Sequence, residues 1–321
     1  MEHQLNEKYT NNYYNKYLIY KLILVIIALM ISTLYIFISD FKNFVIKISK
    51  KIQIKPKIIA ISYGNRKFQR QIQINKLSAL KIGKVNEYYC YGPNDIDPEF
   101  RYKNKDILYR KRGNGYWLWK PYFILKTLKE KLNEGDYLIY TDAGIMYMNS
   151  TRIIIDFLSK RKAEIWAIQT HYIEKKWTKR DAFILLGADM PFYTETAQYM
   201  AGIQIYKKSK FTENFLEEVL YYSQDKRIIT DEPNTLGFNN YRGFRANRHD
   251  QTVLSIMIKK YGQASSGKTN MNINQLRKTK IEMPYIFCIY RRKFFKNYKD
   301  IRKKCINHYY IQNQLYFNKK N

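Results

Sequence analysis

The chain has 321 residues, with 57 Lys and Arg against 27 Asp and Glu, a formal net charge of +30 and a hydrophobic fraction of 45%. That apolar fraction can bury a sizeable core and excludes an intrinsically disordered basic chain, while the length suits one large domain or two modest ones. The basic residues are spread over nearly the whole chain beside a surplus of Tyr, 31 in all, so compositional bias accounts for most of the charge and argues against a nucleic-acid footprint. Residues 291–321 depart from this, holding ten Lys and Arg against the single acid Asp300. Cys90, Cys288 and Cys305 match neither a CxxC pair nor a zinc-ligand spacing, which leaves at most one bridge and an odd thiol.

In chain order, a tail over 1–16 precedes an apolar stretch over 17–39 whose residues 22–39 carry no charge. At ~1.5 Å per residue it can cross a hydrocarbon core of about 30 Å, and it predicts a single transmembrane helix. No small-x-small cleavage site follows it, which disfavours a signal peptide. Three lysines precede it through Lys21 and six lie within 40–59, so positive-inside counting puts the larger part in the cytosol; an N-in anchor with an external domain stays open. A basic stem over 40–56 leads to a domain predicted over 57–290, and a basic tail over 291–321 closes the chain. The tail and the stem point to an anionic lipid surface.

Within 57–290 apolar runs and helical periodicities alternate. Strands are predicted over 57–62, 85–91, 137–141, 164–169 and 203–206. Helices are predicted over 69–82, with Ile72, Leu77 and Leu80 at helical spacings, and over 121–132, 151–160, 211–222 and 252–260. The alternation implies an α/β domain with a mostly parallel sheet and flanking helices, whose ligands gather at the carboxyl ends of the strands.

Three segments can carry chemistry. The apolar strand YLIYT delivers Asp142 at its carboxyl end, where a carboxylate can ligate a hard cation or bind a ribose hydroxyl, and Gly144 allows close backbone approach. The alternative is an Asp closing an ordinary turn. The segment RGNGYWLWKP places Tyr116, Trp117 and Trp119 as a stacking wall and Lys120 as a phosphate cation just before a helix; packing tryptophans and a first-turn Pro121 are the plainer alternative. The segment RANRHDQT opens a helix with Arg248, His249, Asp250 and Gln251, a cluster suited to a phosphate, a metal or a reacting hydroxyl, with Asp250 also placed to cap the helix. Asp231 and Glu232 add two loop carboxylates as lesser candidates for a general base.

Taken in order, RGNGYWLWKP, GDYLIYTDAG, QYMAGIQIYKKS, RIITDEPN and NRHDQTVLS resemble the nucleotide-diphospho-sugar glycosyltransferases of the GT-A type, related to glycosyltransferase families 8 and 32. The resemblance covers roughly 57–261. It implies a Rossmann-like GT-A fold, a nucleotide diphosphate sugar donor, a glycan, glycolipid or glycoprotein acceptor, and a divalent cation, Mn²⁺ or Mg²⁺. It places Asp250 and Gln251 at the reacting centre. It places Lys120, Tyr116, Trp117, Asp142, Gly144, Ala201, Gly202 and Arg248 around the donor, with Ala201 and Gly202 just before a strand, and it makes Asp142 and His249 the metal ligands. The chain departs from the family pattern at the second carboxylate of the DxD motif, where Gly144 stands. The activity implied is membrane-anchored hexosyl transfer. A membrane-tethered protein of the same fold that binds glycan or anionic lipid without turnover is the alternative.

Overall fold

The computed structural model describes residues 22–44, 55–264 and 287–289. The tails 1–16 and 291–321 and most of the stem lie outside them. The chain divides into two units at Lys55 and Pro56. The first contains helix α1 (Leu22–Phe44), 23 residues with a mean hydropathy of 2.7 and exposed on every face. At ~1.5 Å per residue it spans about 34 Å, long and apolar enough to cross a membrane.

The second unit is built on a five-stranded sheet of order β2-β1-β3-β6-β5, from β1 (Ile58–Tyr63), β2 (Glu87–Tyr91), β3 (Tyr137–Thr141), β5 (Ile165–Ile173) and β6 (Ala197–Lys207). β1 pairs in parallel with β2 and β3, while β6 runs antiparallel to both β3 and β5. Four strands therefore share one direction and β6 alone opposes them. A short two-stranded sheet joins β4 (Ile145–Tyr147) to β7 (Phe287–Ile289).

β1 and β3 are buried at every residue because helices cover both faces, which is why their sequences are unbroken apolar runs. Alternate side chains divide between two cores. Ile59, Ile61, Leu138 and Tyr140 pack with α3 (Trp119–Lys131), α5 (Lys210–Ser223) and α6 (Asp250–Ala264) through Phe123, Phe215, Val253 and Met257. Ile58, Ala60, Tyr137 and Ile139 pack with α2 (Gln69–Lys81) and α4 (Arg152–Lys160) through Ala79, Ile154 and Leu158.

Two expectations are corrected. The buried face of α2 consists of Gln71, Asn75, Ser78 and Ala79, while Leu77 is exposed and Ile72 and Leu80 are half-buried. The helix packs a polar stripe inward because the β3–β4 turn has backbone groups to satisfy: Asn75 Nδ2 donates to Ile145 O at 2.7 Å and to Asp142 O at 3.3 Å. Ala201 and Gly202 do not precede a strand but lie inside β6, which is eleven residues long.

Candidate active site

From β1 the chain crosses to β2 on one side and later to β3 on the other, so a crevice opens beyond the carboxyl ends of β1 and β3, the position where open α/β sheets take their ligands. β3 delivers Asp142 there. Tyr140 donates its hydroxyl to Asp142 Oδ1 at 2.6 Å, and the Asp142 N–H donates to Gly202 O at 2.9 Å. A Cβ on Gly202 would stand 2.9 Å from Asp142 Oδ2, so the glycine is what lets this carboxylate lie against β6.

Lys120, in the first turn of α3, reaches the same point from the opposite side. Its Nζ lies 2.6 Å from Asp250 Oδ2, 3.3 Å from Asp142 Oδ1 and 3.4 Å from Ala201 O. The lysine side chain is 4% exposed and that of Asp250 9%, against 47% for Asp142. Burial opposes the charge on Lys120, but the Asp142 and Asp250 carboxylates outweigh it and hold its pKa above the ordinary lysine value. Burial pushes the Asp250 carboxyl up, with Lys120 acting against it. Tyr140 is raised well above its ordinary value by burial first and then by Asp142, and so keeps the proton it donates. Of the three, Asp142 is the group that solvent reaches. Lys120 is thus an enclosed counter-ion of two carboxylates, not a cation open to a phosphate.

The segment before α3 folds unusually. Gly113, Asn114, Gly115, Tyr116 and Trp117 all have positive φ, between 51° and 94°, and form one left-handed turn. Gly and Asn enter this region readily, whereas Tyr and Trp pay roughly 1–2 kcal/mol per residue. Gly113 cannot carry a side chain, since a Cβ would meet the Trp117 ring at 2.3 Å, and at Gly115 it would meet the Leu108 backbone at 2.7 Å. The turn leads Trp119 into the core, where it stacks on Tyr63 with ring centroids 3.7 Å apart and packs instead of facing a ligand, and Asn114 Nδ2 donates to the Tyr63 hydroxyl at 2.7 Å. Tyr116 and Trp117 lie 5.1 and 5.2 Å from the His249 ring.

His249 is itself left-handed at φ 57° and buried. Its Nδ1 is 2.8 Å from Ile229 O and its Nε2 accepts from Arg112 Nε at 3.1 Å, with Asp231 Oδ1 3.8 Å away. Burial lowers its pKa, so the neutral ring donates from Nδ1 and accepts at Nε2. Both nitrogens are therefore engaged, and neither is turned to Asp142. Among the described residues no group of three or more His, Cys, Asp or Glu side chains is placed to hold a metal ion. Asp142 Oδ1 is taken by Tyr140 and Lys120, and Gly144, in the β3–β4 turn, offers no carboxylate. The pair Asp142 and His249 does not fit a protein-held divalent cation.

The remaining predicted residues gather at the start of α6. The Ala201 N–H donates to Gln251 Oε1 at 3.3 Å, and Gln251 Nε2 donates to Gln198 Oε1 at 2.8 Å. The Arg248 guanidinium lies 4.2 Å above Trp177 and 5.2 Å from Tyr172. Asp231 and Glu232 are paired with Arg112 and Arg110. Sequence reasoning missed Asn75, Glu174 and Gln198, polar residues that support the site from inside the fold. The detectable signal was the polar stripe Gln251, Ser255 and Lys259, spaced by four along a helix whose residues Val253, Leu254, Ile256, Met257 and Ile258 are apolar.

No protein-family model matches the chain, and no curated protein matches it. Among solved structures it is similar to mouse xyloside xylosyltransferase 1, with a TM-score of 0.37 and 10% identity over 65% of this chain and 83% of that one. A glycosyltransferase involved in the glycosylation of the major capsid of PBCV-1 has a TM-score of 0.38 and 10% identity over 78% of this chain and 99% of that one. The bifunctional glycosyltransferase WbbM has a TM-score of 0.37 and 9% identity, and the match spans 64% of this chain but only 38% of WbbM.

Proposed function

We propose that the chain is a glycosyltransferase that moves a hexose from a nucleotide diphosphate sugar to a hydroxyl of a glycan, glycolipid or glycoprotein, tethered to a membrane by α1. The observation that carries this is the enclosed Lys120 bridging Asp142 and Asp250 at the switch point of the sheet. Cleaving a sugar–phosphate bond leaves positive charge on the sugar ring and negative charge on the departing diphosphate. A half-exposed Asp142 backed by Lys120 and Asp250 suits the first, since Lys120 is shared between the two carboxylates and opposes the upward push of burial on Asp250. The second is met by Arg248 and the amino end of α6, a helix of fifteen residues. Gln251, half-buried and beside Asp250, offers an amide to the sugar. Tyr116 and Trp117 form a stacking wall, Gly144 leaves room for the donor, and Ala201 and Gly202, buried in β6, act on it through Gln251 and Asp142.

A second reading, a glycan- or lipid-binding protein without turnover, is favoured by Gly144 standing where a second carboxylate is expected. One experiment separates the two: full-length protein in detergent is screened against UDP-, GDP- and dTDP-hexoses, with and without manganese, for release of the nucleoside diphosphate. Release that disappears in Asp142→Asn and Asp250→Asn supports transfer at this site. Binding of the sugar nucleotides without release leaves the second reading standing.

A further inference from the structure

A line of buried polar groups runs from Gln251 into the protein. Residues Gln251, Ser255 and Lys259 share one face of α6, which packs against β6 and the single turn Glu174–Trp177. Glu174 is fully buried and accepts from four donors. Its Oε1 takes Lys259 Nζ at 2.7 Å and the Ser255 hydroxyl. Its Oε2 takes Thr178 Oγ1 and Gln198 Nε2, each at 2.8 Å. Gln198 Oε1 then accepts from Gln251 Nε2 at 2.8 Å, and Gln251 Oε1 accepts from the Ala201 N–H at 3.3 Å.

A buried ion pair is weak support for a fold compared with apolar residues of the same volume, so its retention here calls for another role. That role is polarity. An amide side chain can face either way round, and its neighbours decide which. Facing Lys259 and two hydroxyls, the Glu174 carboxylate accepts at 2.8 Å from Gln198 Nε2, which Trp177 O also takes at 3.3 Å, so Gln198 turns Nε2 towards Glu174 and Oε1 towards Gln251. Gln251 must then present Nε2 to Gln198 and Oε1 to Ala201, whose N–H only donates. Both ends of the relay demand the same orientation.

We propose that Glu174 is a positioning residue for Gln251, acting through Gln198 to lock the Gln251 amide with one Nε2 hydrogen and one Oε1 lone pair left for the donor sugar. This rests on the reading of Gln251 as a residue that faces that sugar. In Glu174→Gln, the new Oε1 is held by Lys259 and Ser255, which turns the new amide nitrogen onto Gln198. Gln198 is then caught between that nitrogen, which needs its oxygen, and Trp177 O, which accepts from its Nε2 at 3.3 Å, so the Gln198 amide no longer has one orientation that satisfies every neighbour and Gln251 loses its fixed partner.

The test uses the full chain and the sugar nucleotide that gives the fastest release of its nucleoside diphosphate in the screen above. Glu174→Gln leaves Lys259 buried without its partner, so Gln198→Met serves as a second variant that interrupts the relay while keeping the Glu174–Lys259 pair. Gln198→Met and Gln251→Ala should each lower kcat roughly ten- to a hundred-fold, the scale on which misplacing a group acts, with KM for the donor nearly unchanged. Combined, they should be no slower than Gln251→Ala alone. A slow Gln251→Ala with a fast Gln198→Met, or two reductions that multiply, overturns the relay. A Gln251→Ala protein as fast as the parent, or a parent inert towards every donor, refutes the functional reading and the role of Glu174 with it.

Discussion

Replacing Lys120 with Met keeps the length and the apolar stem of the side chain and removes only the ammonium. The group left behind is Asp250, whose side chain is 9% exposed and whose carboxyl burial already pushes up with the lysine in place. Removing one partner of a buried pair costs about 3–5 kcal/mol, because the other charge stays in the interior uncompensated. Asp142 adds little to that figure, since at 47% exposure water screens it. For a domain of this size each kcal/mol moves the midpoint by ~2–4 °C, so Lys120→Met should unfold about 6–20 °C below the parent at pH 7. The deficit has a definite pH dependence. A carboxyl with a raised folded pKa favours the fold when protonated, and that contribution is lost as pH rises through the folded value. The Lys120→Met deficit should therefore shrink as pH falls through the range where Asp250 takes up its proton. Scanning calorimetry of the full chain in detergent from pH 4 to 8 measures both quantities. In the double variant Lys120→Met with Asp250→Asn, most of the lost stability should return while turnover does not. A Lys120→Met midpoint equal to the parent's at pH 7, or a deficit that grows towards acid, refutes the account of Lys120 as the counter-ion of Asp250.

Gly202→Ala places a Cβ 2.9 Å from Asp142 Oδ2 and must swing the carboxylate off β6. We expect turnover to fall roughly a hundred-fold with the unfolding midpoint little changed, read from kcat and a thermal melt on the same sample. Gly115→Ala meets both a φ of 94° and the Leu108 backbone at 2.7 Å, so it should lose at least ~1–2 kcal/mol from handedness alone, measured by chemical denaturation. Because the folded pKa of His249 is depressed below its usual 6.5, it contributes stability that is present above pH 6.5 and lost as pH falls through the folded value. His249→Asn, which tolerates the left-handed φ, should flatten that acid-side decline in a pH series of melts. Manganese added without a sugar nucleotide should leave the midpoint unmoved, since the described side chains form no ligand set for it.

The parts of this fold that can be read from the chain are those written in local pattern. β1 and β3 are unbroken apolar runs because both faces are covered; Asp142 stands out because a carboxylate ends such a run, and Asp250 and Gln251 because they open a helix behind a cluster of Arg and His. What escapes is written in contacts between distant residues. Nothing near Lys120 in the sequence says that its ammonium will be enclosed by carboxylates from β3 and α6. Hydrophobic periodicity misplaces the inner face of α2 for the same reason: Asn75 goes inside to serve a turn nearly seventy residues away. Glu174 lies among Lys175, Lys176 and Trp177, where it reads as one more surface charge until Lys259 and Gln198 are brought to it. The antiparallel course of β6 is invisible as well, because a strand covered on both faces reads the same in either direction.

The left-handed turn over 113–117 has an evolutionary consequence. Its handedness restricts which residues can replace Gly113, Asn114 and Gly115, whatever the chemistry nearby, because any L-residue with a Cβ beyond the Asn and Asp type is penalised there. A saturation-mutagenesis map of this protein would therefore show a band of intolerance at these positions as deep as that at Asp142. The two bands would have different origins. Chemical synthesis can tell them apart: D-alanine at Gly113 or Gly115 adopts positive φ without penalty and directs its methyl away from the side that an L-residue would fill, so it should be better tolerated there than L-alanine, whereas no change of handedness restores a carboxylate lost at Asp142.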